Sequence, residues 1–178
     1  PRVEQLGHVL TVAQANTVFE RFKTVGDSKK FVYDDELSAI VDDSLHASTC
    51  LWELDFLQFV AGSHARPTAT VGLLKEGKKF EDSSTGNGAV DAVIKAIERI
   101  TKRKGTLKGY SVNAASEGKD ALGEVTVHVD FGQPKPIVGK GASTDVIEAS
   151  ARAYLNAVNR SIRMENMPRP NNLDSGTI

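Results

Sequence analysis

The stretch Thr85–Ile100, TGNGAVDAVIKAIERI, decides how the chain is read. Gly86-Asn87-Gly88 interrupts what precedes it, and Val90, Val93, Ile94, Ile97 and Ile100 then recur at helical spacing along one face. Upstream the apolar period is two. Leu54, Phe56 and Phe59 fall in a first extended run that ends at Ala61-Gly62-Ser63. In a second run Thr68, Thr70 and Gly72 alternate against Ala69, Val71 and Leu73. Glu76-Gly77-Lys78 is the turn into a third run through Phe80, so the order is strand, strand, strand, helix.

The same order recurs downstream. Leu107 to Ala115 reads as extended, Val125, Val127 and Val129 alternate within Glu124 to Phe131, and Gly132-Gln133-Pro134 turns the chain into Ile137-Val138. A glycine pair, Gly139-Lys140-Gly141, then precedes a helix expected from about Thr144 with Ile147, Ala151, Tyr154, Val158 and Ile162 on one face. Gly88 and Gly141 are expected at equivalent places in the two copies. Each unit alone would leave a sheet face and a helix stripe exposed, and packing the two together buries both. The expected fold is therefore α+β, two pseudo-symmetric βββα units packed together over residues 49–163.

A small helical subdomain, residues 1–48, is expected ahead of them. Thr11 and Gln14 have the spacing of a capping box, Val12, Ala15, Val18, Phe19 and Phe22 form a helical stripe, and Gly26-Asp27-Ser28 ends it. Asp34 or Asp35 caps a second helix carrying Leu37, Ile40 and Val41. At the other end, residues 164–178 hold Pro168, Pro170, Asn171, Asn172 and Gly176 and read as a flexible tail.

Composition narrows the function. The 178 residues are too few for an eight-fold βα barrel, which takes roughly 250. A net charge of −1 offers no broad field for nucleic acid or an anionic membrane, and neither is expected as a partner. The single cysteine, Cys50, excludes an internal disulfide and suits a reducing compartment. No basic-then-apolar leader follows Pro1, so the expected location is cytoplasmic. The missing initiator Met points to a piece of a longer polypeptide.

Few residues carry chemistry. Gly86-Asn87-Gly88 places backbone N–H groups and the positive end of a helix dipole around one spot, where a carboxylate or phosphate can bind, although a lone G-x-G is by pattern alone more often a mere tight turn. Gly139-Lys140-Gly141 is read in the same way. His8, His46, His64 and His128 lack metal-ligand spacing, and His128 should face away from Val127 and Val129. Asp34-Asp35 and Asp42-Asp43 suit helix starts and turns, Lys102-Arg103-Lys104 with Lys108 suits a solvated helix end, and Trp52, Phe56 and Phe59 suit strand packing. No acid, nucleophile or metal set for catalysis emerges, and no cofactor is expected on this chain.

Gly86-Asn87-Gly88-Ala89-Val90-Asp91-Ala92 is the first of three ordered motifs that carry a resemblance. Tyr110-Ser111 to Ala114 with Gly118-Lys119-Asp120-Ala121-Leu122-Gly123 is the second, and Gly139-Lys140-Gly141 with Asp145 to Ser150 and Asn156 to Asn159 is the third. Together they resemble the C-terminal regulatory domain of the alpha-isopropylmalate synthase family, strongly from Leu51 to Ile162. Phe19 to Lys23 and Tyr33 to Leu37 resemble, more loosely, the helical subdomain before it. The related citramalate synthases carry a similar domain.

The resemblance implies a homodimeric feedback sensor. A catalytic barrel, expected elsewhere in the same polypeptide, condenses acetyl-CoA with a 2-oxo acid in leucine biosynthesis, and the end product, leucine, binds this domain at a dimer interface as an allosteric ligand. It also implies a ligand pocket at the backbone of Gly86, Asn87 and Gly88, at Asp91, and at Leu107, Tyr110, Ala114 and Ala121, with Ala142 as a further member. In that pocket the turn amides would serve the carboxylate, and Asp91 or a backbone carbonyl the ammonium. The alternatives left open are an isoleucine-sensing domain of a citramalate synthase, a dimerisation module with no ligand, and an autonomous enzyme.

Overall fold

A computed structural model describes residues 51–114 and 121–166, together with Ala15, Asn16 and Val18–Glu20. The elements are β1 (Glu53–Gly62), β2 (Ala65–Lys75), β3 (Lys78–Thr85), α1 (Ala89–Thr101), β4 (Thr106–Ala114), β5 (Gly123–Asp130), β6 (Ile137–Ser143) and α2 (Val146–Asn166). They form two three-stranded antiparallel meanders, β1-β2-β3 and β4-β5-β6, each followed by a helix. The duplicated βββα order read from the apolar periods is thus the fold. Ala15, Asn16 and Val18–Glu20 are helical, inside the first expected helix. The rest of that helix, the second one, Cys50, His8, His46 and both Asp pairs lie outside the described residues.

The β2–β3 turn uses Glu76 at φ 50° and Gly77 at φ 74°. Two successive positive φ values match the twist of the flanking strands, and glycine takes one of them without steric cost. Each sheet buries one face. Ala69, Val71 and Leu73 of β2 meet Ala92, Val93, Ala96 and Ile97 of α1, while Val125, Val127 and Val129 of β5 lie under α2. Both sets join through Tyr154, Leu155 and Val158 into one core. Burying a Val, Leu or Ile side chain there is worth roughly 1.5–3 kcal/mol. His128 is exposed on the opposite face of β5, as its alternation with the valines requires.

The helix stripe of α1 divides where the sequence showed one face. Val93 and Ile97 are fully buried with Ala92 and Ala96, whereas Val90 and Ile94 turn toward β4. The buried face is centred between the expected apolar stripe and the two alanines, because alanines fit closely against β2 and β3.

Gly139 and Gly141 are not a turn before a helix. They lie inside β6, paired with Val127 and Val125, on the face that α2 covers. A Cβ on Gly139 would run into the Ala153 carbonyl oxygen and come 2.8 Å from Ala157 Cβ, and one on Gly141 would run into the Ala149 carbonyl oxygen. These glycines let the helix backbone rest directly on the strand. The counterpart of Gly88 is instead Asp145, whose Oδ1 accepts from the N–H groups of Ile147 at 2.7 Å and Glu148 at 3.3 Å and so caps α2.

α2 runs to Asn166, three residues into the expected tail, and Glu165 holds Arg103 in a two-pronged ion pair. Arg103 is therefore not a solvated helix-end cation, as its cluster suggested. Trp52 is buried, edge-on to Phe80 at 5.3 Å, with Lys75 over its ring.

Candidate functional site

α2 covers β5 and β6 but leaves β4, one of the two edge strands, open. Between β4 and the flank of α1 lies a cleft of about 410 Å3, within the range of small-molecule sites. Val90, Asp91, Ile94, Lys95 and Glu98 line it from α1, and Gly105, Leu107 and Tyr110 from the other side. The helical positions 90, 91, 94, 95 and 98 share one face by their three- and four-residue spacing. Leu107 and Tyr110 pair with Val129 and Val127, which puts them on the inner face of their sheet.

Three of the expected site residues, Asp91, Leu107 and Tyr110, therefore meet in one cleft. Gly86 and Asn87 adjoin it through Asp91, whose Oδ2 accepts from the Asn87 N–H at 2.8 Å and from Lys95 Nζ at 2.8 Å. These two donors, Lys95 foremost, hold the Asp91 carboxyl below its ordinary range. The Gly86 N–H donates to the Pro67 carbonyl at 3.0 Å. Two of the three turn amides are thus engaged within the chain. The donors left at this helix start are the N–H groups of Gly88, Ala89, Val90 and Asp91, beyond reach of any intrahelical carbonyl, while the Ala92 N–H already bonds the Gly88 carbonyl.

The two outer glycines of the turn differ. A Cβ on Gly86 would collide with the Ala92 amide nitrogen and lie 2.7 Å from Asp91 Oδ2, so the close approach of turn and helix requires glycine there. Gly88 has an extended backbone, φ −162°, with open space where a Cβ would stand. The chain's own packing does not require it to be glycine.

The remaining residues lie further off. Ala114 ends β4 four residues beyond Tyr110, roughly 13 Å along a strand, and pairs with Gly123. Ala121 precedes that pair by two residues, so Ala114 and Ala121 belong to the end of the sheet where Gly123 stands against Val146. Ala142 pairs with Glu124 and falls on the outer face of the sheet, away from Tyr110 and Ala114. Periodicity could have shown this, since an odd step from Gly141 inverts the face.

Sequence reasoning missed Lys95 and Glu98. Both sit one or two helical turns from Asp91 on the cleft face, a signal available from the period alone. Among the described residues no group of three or more His, Cys, Asp or Glu is placed to hold a metal ion, and no helix is long and apolar enough to cross a membrane.

The described residues thus form a duplicated βββα domain with an amphiphilic cleft beside an open edge strand. Residues 31–162 match the family model of the LeuA allosteric (dimerisation) domain, and the chain belongs to that family. It is 46% identical over 159 residues to a 2-isopropylmalate synthase of Carboxydothermus hydrogenoformans, covering 89% of this chain and 31% of the relative. It is 43% identical over 161 residues to that of Pelotomaculum thermopropionicum, covering 90% and 32%. The 2-isopropylmalate synthase of Methylacidiphilum infernorum is 45% identical over 161 residues, again 90% and 32%. The chain spans about a third of the length of these relatives.

Proposed function

We propose that this chain is the feedback-regulatory part of a 2-isopropylmalate synthase, binding a branched-chain amino acid, leucine, at the interface of a homodimer. Occupancy would restrain acyl-CoA condensation by a catalytic domain of the same polypeptide. The observation that carries this reading is the cleft where Asp91, Leu107 and Tyr110 converge. Its Val90, Ile94, Leu107 and Tyr110 suit a branched aliphatic side chain, whose burial is worth roughly 1.5–3 kcal/mol. The carboxylate fits the free N–H groups at the start of α1, and Asp91 is the nearest anion for the ammonium.

An open apolar strip supports the dimeric arrangement. Leu107, Tyr110 and Val112 on the inner face of β4 are 39%, 40% and 44% exposed, and the exposed Val146, beside Gly123, extends the strip toward Ala114. A second copy laid over this strip would close the cleft and bring the Ala114–Ala121 end of the sheet against the ligand.

Calorimetric titration of the chain with leucine and with isoleucine tests the reading. Heat with leucine that is lost in Tyr110→Ala is expected. Heat with isoleucine only would move the chain to the citramalate synthase type. No heat with either from a folded dimer would leave a dimerisation module without a ligand.

A further inference from the structure

The two walls of the cleft come from different elements, and both are tied to one face of α2. From α1, Glu98 Oε1 accepts from the Tyr154 hydroxyl at 2.8 Å and from the Gly105 N–H at 3.0 Å. From β4, the Tyr110 hydroxyl lies 2.8 Å from Ser150 Oγ. Ser150 Oγ donates its single proton to the Val146 carbonyl at 2.6 Å, so in the second bond Tyr110 is the donor and Ser150 the acceptor. Ser150 and Tyr154 stand one helical turn apart, hence on the same face of α2, and both are buried. Burial and the neighbouring Glu98 carboxylate raise the Tyr154 hydroxyl far above its ordinary value, which keeps it protonated and donating.

Resting on the amino-acid site proposed above, we infer that Ser150 and Tyr154 are positioning residues that set the separation of the cleft walls from a single helix face. Neither lines the cleft. Each acts through a residue that does: Ser150 fixes the Tyr110 ring, and Tyr154 fixes Glu98 together with the start of β4 through Gly105. A ligand that spreads or draws in the walls must therefore strain these bonds or carry α2 with it, because packed interiors shift between discrete arrangements rather than stretch. α2 thereby becomes the element that registers occupancy.

The test is leucine affinity by calorimetry on the dimeric chain for wild type, Ser150→Ala, Tyr110→Phe, their double variant and Tyr154→Phe, with thermal unfolding as the check on folding. Ser150→Ala and Tyr110→Phe should each weaken binding five- to tenfold, and the double variant no more than Tyr110→Phe alone, since both remove one bond. Tyr154→Phe should weaken binding to a similar extent. A merely structural role would lower the unfolding temperature without that coupling. Unchanged affinity in Ser150→Ala, or losses that multiply in the double variant, would overturn the inference while leaving the site in place. A folded wild-type dimer that takes up no leucine would overturn the site and this inference with it.

Discussion

Arg103 and Glu165, 62 residues apart in sequence, face each other with two parallel hydrogen bonds, Nη1 to Oε1 at 2.7 Å and Nη2 to Oε2 at 2.6 Å. This pair fastens the last turn of α2 to the loop between α1 and β4, and so closes the ring of contacts around the core. Arg103 depresses the Glu165 carboxyl and Glu165 raises the Arg103 guanidinium. A depressed carboxylate contributes stability above its unfolded-state value and loses it as pH falls through the folded one. Glu165→Gln should cost about 0.5–1 kcal/mol at neutral pH, the upper range for an exposed pair of good geometry. Urea unfolding across the acid range should show that gap closing as the wild-type carboxylate protonates. A gap that stays constant down to pH 2 would remove the ion pair as its cause.

Gly86 and Gly88 should part company on substitution. Gly86→Ala forces the turn away from α1 and is expected to cost about 1–3 kcal/mol, typical of overpacking. Gly88→Ser meets open space and supplies a side-chain oxygen at the N-cap, so a gain of a few tenths of a kcal/mol is expected. Denaturant midpoints of the two variants decide this, and equal losses would show that the turn is not held as described.

Asn159 bonds both polar backbone groups of Trp52, accepting from its N–H at 3.0 Å and donating to its carbonyl at 2.8 Å, in a site closed to water. Asn159→Ala leaves a buried donor and a buried acceptor unsatisfied, with an expected cost of about 2–4 kcal/mol. Asn159→Asp sets a buried carboxylate against the Trp52 carbonyl oxygen, and should cost at least as much as Asn159→Ala. Chemical denaturation followed by Trp52 fluorescence measures both.

Gly139→Ala should be among the most damaging single-methyl additions in the chain. The new methyl would enter the α2 backbone at Ala153, and a helix backbone cannot swing aside as a side chain can. A loss of about 3 kcal/mol or more is expected, together with faster hydrogen exchange along α2. Near-wild-type protection of that helix would show that it does not rest on β6.

Gly105 and Glu98 show why half of the site was hidden. The bond between them needs only the α1–β4 loop, but the partner that fixes Glu98, Tyr154, lies 56 residues on and is brought there by the packing of α2 against α1. Asp91, Leu107 and Tyr110 were named by the family resemblance, and the structure brings them together in one cleft. Tyr154 was legible only as a core position of the second helix, and Ser150 only as the end of the third motif.

The sequence by itself determined the two βββα units. The alternation of Val125, Val127 and Val129, and the four-residue spacing of Val93 and Ile97, report which face of a strand or helix must leave water, and that preference is local. Only the tertiary structure decided that Gly139 and Gly141 form a helix seat rather than a turn. It likewise left Gly88 free of any steric demand and opened a cleft beside β4. Each of these depends on which surface of one element meets which surface of another, and that choice is made by close packing between segments distant in sequence, where no local period carries the information.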